Sequence, residues 1–274
     1  MPLTVFYITN NPDVALIAES VGVNRIWVDL ETLGKEERQR GINSVKSRHT
    51  VKDVGVLASV LTKAELLVRI NPWNADSREE IEKVISLGAK RIMLPMWKTA
   101  EEVRAFLGCV NGRVPTSLLL ETREAENCLD EVLKIDGIHE FHIGLNDLHL
   151  SYGLSFMFEL LANGTVERIV NKIKPTGIPY GFGGISHIGD GLVPAEMIVT
   201  EHYRLGSTRA ILSRCFCDQT KPLNSIRNTF EKRMTELREF EAGIEPSVFD
   251  KNRNELIKRV DEIVVKMKNE HKGS

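Results

Sequence analysis

Short apolar runs, each followed by an amphipathic stretch, recur along most of the 274-residue chain. Eight such runs stand at residues 4–8, 25–29, 66–70, 91–94, 114–120, 138–143, 179–183 and 208–212. Nearly continuous apolar strands are typical of a parallel sheet that helices cover on both faces. Eight strand–helix units predict an α/β fold, a closed (β/α)8 TIM barrel. Periodicity alone leaves a doubly wound open sheet as the alternative.

Two further amphipathic stretches follow the eighth run. Apolar residues recur in them at helical spacing, at Ile226, Phe230, Met234, Leu237 and Phe240 and then at Leu256, Val260, Ile263, Val264 and Met267. We expect the first helix to complete the eighth unit and the second to be an addition that covers a neighbour or a subunit interface. The predicted organisation is a barrel domain at residues 1–241 and an additional C-terminal helical extension at residues 242–274.

The overall composition points away from nucleic acid and membranes as partners. The formal net charge is -2 and the pI is near 6.4, so no basic excess attracts phosphates or anionic lipids. No apolar run approaches the ~18 residues that span a bilayer. Residues 1–11 lack the cationic start and long apolar stretch of a signal peptide. We therefore expect a soluble, cytoplasmic protein.

Two acidic residues, Glu121 and Asp147, each stand just past a predicted strand. The carboxyl ends of successive parallel strands are neighbours at one rim of a barrel, and the active sites of such barrels lie there. Two carboxylates that face one point favour a hard divalent cation, because such ions prefer oxygen ligands. The competing interpretation is that each carboxylate caps the helix that follows it.

Arg69 stands at the end of the third predicted strand, where its guanidinium would point inward near the same rim. The fixed fork of donors on arginine suits a carboxylate or a developing enolate oxygen. The alternative is a buried ion pair with Asp29 or Glu31, which end the second strand. The two roles are compatible, since an arginine that is held by an acid is better oriented towards a ligand.

Five motifs at successive strand ends resemble a known family. They are Val-Asp-Leu-Glu at 28–31, Val-Arg-Ile-Asn-Pro at 68–72, Ile-Met-Leu-Pro-Met at 92–96, Leu-Glu-Thr-Arg-Glu-Ala at 120–125 and Ile-Gly-Leu-Asn-Asp-Leu at 143–148. In this order they resemble the HpcH/HpaI aldolase and citrate lyase beta-subunit family, of the phosphoenolpyruvate/pyruvate barrel superfamily. The resemblance covers roughly residues 4–212.

The resemblance implies a role for each matching residue. Glu121 and Asp147 are expected to bind a divalent metal, Mg²⁺ or Mn²⁺, and Arg69 to contact the keto or enolate oxygen of a pyruvate-like unit. Backbone amides at Asn146 and Asp147 are expected to hold its carboxylate. The implied activity is that of a metal-dependent carbon–carbon lyase of class II aldolase type, acting on a 2-oxo acid through a pyruvate-like enolate. Family members assemble as trimers or hexamers, so a homo-oligomer is expected.

The chain departs from the family pattern at two positions. Thr32 replaces the histidine of the aldolase motif Asp-Gly-Glu-His and the aspartate of the citrate lyase branch, and Leu119 replaces an aldolase glutamine. The general base is therefore open. His49, in a long polar loop at 32–50 that we expect to be a lid or binding loop, is one candidate, and a metal-bound water is another.

Three further points stay open at the level of sequence. Ser213 and Arg214, at the end of the eighth strand, are candidates for binding a second carboxylate of the substrate. His142 alternates inward on the sixth strand, either in support of the metal loop or as core packing. The activity itself has two alternatives: citrate-lyase-like cleavage of an acyl-CoA or carrier thioester, and a non-catalytic barrel that binds metal and a keto acid. The motifs do not separate Mg²⁺ from Mn²⁺ or name an aldehyde partner.

Overall fold

The structure is a computed structural model that describes residues 1–34 and 48–272. Eight parallel strands in this part of the chain form a closed barrel, in which each strand pairs with the next and β8 pairs with β1. In chain order they are β1 Thr4–Ile8, β2 Arg25–Asp29, β3 Glu65–Arg69, β4 Arg91–Leu94, β5 Thr116–Leu120, β6 Glu140–Ile143, β7 Tyr180–Ile185 and β8 Arg209–Leu212. The closed order confirms the predicted (β/α)8 TIM barrel and excludes an open sheet.

Helices lie outside the strands and bury their apolar faces against them. They are α1 Pro12–Ser20, α2 Val51–Val60, α3 Ser77–Ser86, α4 Ala100–Val110, α5 Arg123–Asn127, α6 Leu129–Val132, α7 Leu145–Ser151, α8 Glu159–Ala162, α9 Thr165–Ile173, α10 Ala195–Leu205, α11 Leu223–Ala242 and α12 Phe249–Lys272. Local sequence sets several starts. The Asn11 side chain accepts hydrogen bonds from the first turn of α1, and Thr99 and Glu102 form a capping box on α4.

The predicted strands lie close to the observed ones. β1, β2 and β4 have the predicted bounds, and the other strands begin and end within two residues of them. The polar loop predicted at 32–50 falls largely outside the described residues. None of the described helices is long and apolar enough to cross a bilayer.

A layer of charged side chains lies inside the amino-terminal end of the barrel. The first residues of the four even-numbered strands form it: Arg25, Arg91, Glu140 and Arg209. Barrel interiors are commonly filled in this way, by layers of four side chains from alternate strands. Glu140 is fully buried, and it accepts from Arg25 Nη1 at 2.7 and 2.8 Å and from Arg209 Nε at 2.7 Å. The layer is thus held by ion pairs.

Above the charged layer most of the side chains inside the barrel are apolar. Phe6, Trp27, Leu67, Met93 and Leu119 pack together there as a separate cluster of buried side chains. These side chains lie directly below the carboxyl-terminal rim of the barrel, where the next inward-facing residues along several strands are polar. The chemistry is thereby confined to the carboxyl-terminal end of the barrel.

The last helix packs on its own barrel. α11 lies against α1, and α12 lies against α8 and α10. Leu256 and Val260 of α12 are fully buried, and Asn252 Nδ2 donates to the backbone oxygen of Met197 at 3.1 Å. The predicted apolar stripe is therefore used within the chain. The division into a barrel domain at 1–241 and an extension at 242–274 stays a prediction.

Candidate active site

A cavity of about 700 Å³ opens at the carboxyl-terminal rim of the barrel. The predicted site residues that line it are Asp29, His49, Arg69, Glu121, Asn146, Asp147 and Arg214. Of the remaining two, Glu31 lies against Arg69, and Ser213 is half-buried and is not part of the cavity wall that the structure describes. Residues far apart in sequence are thus brought together as parallel strand ends require.

Arg69 is held as a fixed cation. Its Nε and Nη2 donate to the two oxygens of Asp29 at 2.9 Å each, and its Nη1 lies 3.1 Å from Glu31 Oε2. The Trp27 ring centroid lies 5.1 Å from the guanidinium carbon. Burial opposes the charge, but Asp29 and Glu31 outweigh it and raise the pKa of Arg69. The ion pair considered from sequence is present, and it orients the arginine at the cavity wall.

Glu121 is buried directly after β5. Its Oε1 accepts a hydrogen bond from the backbone N–H of Met96 at 3.0 Å. The helix that follows, α5, is capped by Thr122, whose side chain accepts from the Ala125 N–H at 3.0 Å. The capping interpretation therefore does not hold for Glu121.

Asp147 lies in the first turn of α7, close enough to Glu121 to act on its charge. Burial raises the pKa of the Glu121 carboxyl well above its ordinary value, and the carboxylates of Glu31 and Asp147 raise it further. Arg69 opposes this shift without cancelling it. An acid in such surroundings requires either a proton or an additional cation to neutralise it.

The two acids fit a hard divalent cation. Magnesium usually keeps several waters and takes one or two carboxylates from the protein, so it does not need a larger cluster. Within residues 1–34 and 48–272 there is indeed no group of three or more His, Cys, Asp or Glu arranged for a metal. The absence of a side chain at Gly144 makes room for the second oxygen of Glu121 itself, since an added Cβ would lie 2.8 Å from Oε2. Glu121 and Asp147 can therefore hold Mg²⁺ or Mn²⁺.

The two histidines at the cavity differ in what they offer. His49 is half-buried, and its Nδ1 accepts from the backbone N–H of Asp29 at 3.0 Å. Nε2 then carries the hydrogen of the neutral ring. His142 is fully buried, its Nε2 lies 3.1 Å from the Gly183 oxygen, and burial lowers its pKa to about 4. His142 is therefore neutral near pH 7, and it joins the packing of the barrel interior at the cavity floor.

Two contributors escaped the sequence reasoning. Trp27 supports Arg69 with its ring, and its position two residues before Asp29 puts it on the same face of β2, so alternation along the strand was an available signal. Met96 supplies a backbone amide to Glu121 from a left-handed conformation with φ of 52°. No residue-level pattern marks that conformation in advance.

Comparison with known proteins decides the family. The model of the HpcH/HpaI aldolase/citrate lyase family matches residues 3–180, more than half of the chain. The chain belongs to the HpcH/HpaI aldolase/citrate lyase family. Members of this family are lyases and aldolases. No curated protein sequence matches the chain at a significant level.

Solved structures of the family share the fold. The HpcH/HpaI aldolase of Desulfitobacterium hafniense DCB-2 has a TM-score of 0.59 at 19% identity, over 77% of this chain and 86% of that one. The protein CitE of Mycobacterium tuberculosis, in complex with magnesium and pyruvate, has a TM-score of 0.61 at 14% identity, over 93% and 98%. A citrate lyase of Burkholderia xenovorans LB400 has a TM-score of 0.58 at 14% identity, over 96% and 92%. At these identities the likeness concerns the fold.

The raised pKa of Glu121 predicts an unusual dependence of metal-free stability on pH. The folded protein keeps a proton on this carboxyl that the unfolded chain releases above about pH 4.3. Between that pH and the higher folded pKa, stability falls as pH rises. We expect metal-free Glu121→Gln to melt on the order of 3 °C above the wild type at pH 8, with a smaller gap near pH 4.5.

Thermal unfolding in EDTA at several pH values measures this gap. Glu131→Gln, at an exposed carboxylate paired with Arg104, is the matched control and should follow the wild type. A lower melting temperature for Glu121→Gln at pH 8 would mean that the folded site prefers a charged carboxylate, against the electrostatics described above.

Proposed function

We propose that this protein is a divalent-metal-dependent carbon–carbon lyase of class II aldolase type, which acts on a 2-oxo acid through a pyruvate-like enolate. The observation that carries the proposal is the placement of Glu121 and Asp147 beside the fixed cation of Arg69 in one cavity at the rim of the barrel. The family match supports it, as does the magnesium and pyruvate bound by the CitE protein of similar fold.

Glu121 and Asp147 would hold Mg²⁺ or Mn²⁺, which when bound supplies positive charge opposite the oxygen where negative charge develops. Arg69 contributes a second, permanent charge at the same wall. Its five N–H groups exceed the contacts that Asp29 and Glu31 take up, so the guanidinium retains donors for a ligand oxygen. Stabilisation by such a preoriented donor lowers the barrier, because negative charge builds up on this oxygen between the substrate and the transition state.

The substrate carboxylate is expected at the start of α7. Asn146 and Asp147 lie in its first turn and line the cavity, and backbone N–H groups in a first turn have no partner within the helix. Arg214 lines the same cavity and is exposed, so it is our candidate for the far end of a longer substrate. Ser213 is proposed beside it from its position at the end of the eighth strand alone.

His49 is proposed as a hydrogen-bond donor to the substrate. Its Nδ1 accepts the Asp29 N–H, so uptake of a proton at Nδ1 requires that backbone bond to break. His49 lines the cavity, which supports a role in orienting a ligand oxygen, and a water molecule is then our candidate for proton uptake. Asp29 and Glu31 act by holding Arg69.

The test is release of pyruvate from oxaloacetate and from 4-hydroxy-2-oxo acids, with Mg²⁺ or Mn²⁺ and with EDTA. We expect activity that EDTA abolishes and that is lowered about 100-fold in Asp147→Asn, because part of the charge at the enolate oxygen is lost. Asp130→Asn removes an exposed carboxylate paired with Lys172 and should change nothing. At least half of wild-type turnover in Asp147→Asn would contradict the proposal.

Two further arms separate the alternatives. An acyl-CoA thioester that is cleaved while free 2-oxo acids are not would indicate citrate-lyase-like chemistry. A melting temperature that rises with Mn²⁺ plus pyruvate, without turnover of any substrate, would indicate a binding barrel. At a hundredfold excess over the dissociation constant, binding stabilises the folded state by about 2.7 kcal/mol. The homo-oligomer, a trimer or hexamer by family resemblance, is measured by light scattering.

A further inference from the structure

Met96 and Gly144 lie next to different oxygens of the Glu121 carboxylate. The backbone N–H of Met96 donates to Oε1 at 3.0 Å. On the other side, a Cβ added to Gly144 would lie 2.8 Å from Oε2 and 3.1 Å from the Cβ of Glu121. One neighbour binds the carboxylate, and the other leaves it room. Both residues stand in the motifs quoted above, at 92–96 and 143–148, but neither contributes a reactive side chain.

The conformation of Met96 has no local explanation. Its φ is 52°, and among the described residues Asn111, with φ of 51°, is the other non-glycine residue with positive φ. Asn111 ends α4 as a left-handed cap, a position that asparagine often takes. Methionine has no such preference, and a residue held in the left-handed region persists where its surroundings require it. At Met96 this conformation delivers an amide to Glu121.

The need for glycine at position 144 also comes from its contact with Glu121. Gly144 immediately precedes the first turn of α7, and its φ is -80°. Because this φ is negative, a left-handed backbone does not explain why glycine is needed at this position. An added Cβ would also come within 3.4 Å of the Leu119 Cδ1. What glycine provides here is the space that the Glu121 carboxylate fills.

We propose that Met96 and Gly144 are positioning residues for Glu121. The Met96 amide occupies Oε1, and the absent side chain of Gly144 lets Oε2 stand beside it as the oxygen available to a divalent cation. The inference rests on the proposed function, since it assigns Glu121 as a metal ligand. A carboxylate already fixed in one orientation binds with less loss of side-chain entropy than one that must be ordered by the ion.

The first test changes the space at Gly144. We expect Gly144→Ala to bind Mn²⁺ at least tenfold more weakly than the wild type, measured by electron paramagnetic resonance without substrate. Gly108→Ala is the matched control, because an added Cβ on this exposed glycine of α4 has no neighbour within 4 Å. In a Glu121→Asp background the carboxylate is retracted by one carbon. There, Gly144→Ala should weaken Mn²⁺ binding by less than half of the factor seen in the wild-type background. Equal affinity of Gly144→Ala and the wild type overturns the role of Gly144.

The second test separates the backbone of Met96 from its side chain. Met96→Gly keeps the N–H and adopts positive φ readily, so its Mn²⁺ affinity should stay within twofold of the wild type. Met96→Val disfavours the left-handed backbone strongly and should bind at least tenfold more weakly. Asn111→Val introduces the same strain at the end of α4 and should lower the melting temperature while leaving Mn²⁺ affinity unchanged. Equal losses in Met96→Gly and Met96→Val overturn the role of the backbone.

The same Mn²⁺ titrations distinguish failure of the proposed function from failure of the roles of Met96 and Gly144. A wild type that binds no Mn²⁺ removes the proposed function together with this inference. A wild type that binds Mn²⁺ while Gly144→Ala and Met96→Val bind it equally well removes the inference alone. If Gly144→Ala does not fold, the contrast between Met96→Gly and Met96→Val decides.

Discussion

Arg69→Lys is expected to lower kcat/KM for pyruvate release between about 100- and 1,000-fold, the range seen when one preoriented donor is lost from an active site. Arginine holds both oxygens of Asp29 and reaches Glu31 with a third nitrogen. The ammonium of lysine is a single point charge and cannot reproduce this fork. The charge is therefore kept while its orientation is lost.

Steady-state kinetics with circular dichroism as a check on folding measures this effect. Arg104→Lys, at an exposed arginine that bridges Glu131 and Glu101, is the control and should keep wild-type activity. Arg69→Met is expected to lose about 3–5 kcal/mol of stability as well, because Asp29 and Glu31 are buried acids that lose their cation. An Arg69→Lys variant with at least half of the wild-type kcat/KM would show that the geometry of the fork is irrelevant to the reaction.

Glu140→Gln is expected to lower the free energy of unfolding by about 3–5 kcal/mol, because it removes the acid from a buried layer that contains three arginines. Burial opposes ionisation of Glu140, but Arg25, Arg91 and Arg209 outweigh it and hold its pKa below the usual value. A lowered carboxyl pKa contributes stability above about pH 4.3, and that contribution is lost as pH falls through the folded pKa. The wild type should therefore lose its advantage over the variant in acid.

Denaturant unfolding at pH 7 and at lower pH provides the measurement. Glu82→Gln is a matched control, since Glu82 also receives two arginine hydrogen bonds at 2.7 Å, from Arg113, but is exposed. Exposed pairs of this kind usually contribute little, so no measurable change is expected there. Equal stability of Glu140→Gln and the wild type at pH 7 would show that the charged layer does not hold the barrel together.

The barrel was predictable because strands that are buried on both faces are nearly continuous apolar runs in the sequence. Each strand is an apolar run, and the runs alone place β1, β2 and β4 at their observed bounds. The same apolar runs placed Glu121 and Asp147 at one rim of the barrel, because a residue just past a strand in such a barrel must lie there. Position in the fold was therefore readable before any contact was known.

Contacts that depend on barrel closure or on backbone conformation were not predictable. Arg25 and Arg91 each begin a predicted strand, where a charged residue is equally compatible with a solvated strand end, and only closure of the sheet brings them next to Glu140. The left-handed φ of Met96 leaves no mark in residue type. The bond from Asp29 N–H to His49 Nδ1 joins the end of β2 to a residue 20 positions later, and no pattern of residue types indicates it.

The proposed reaction requires Glu121 and Asp147 together to hold a divalent cation at the site where a 2-oxo acid reacts. Diffraction from crystals grown with Mn²⁺ and pyruvate, with data collected at the manganese absorption edge, tests it directly. We expect one anomalous peak in contact with both carboxylates, and pyruvate density that extends from it towards Arg69. A map without a peak at these two residues, with their carboxylates turned apart or paired with arginine or lysine, would contradict it.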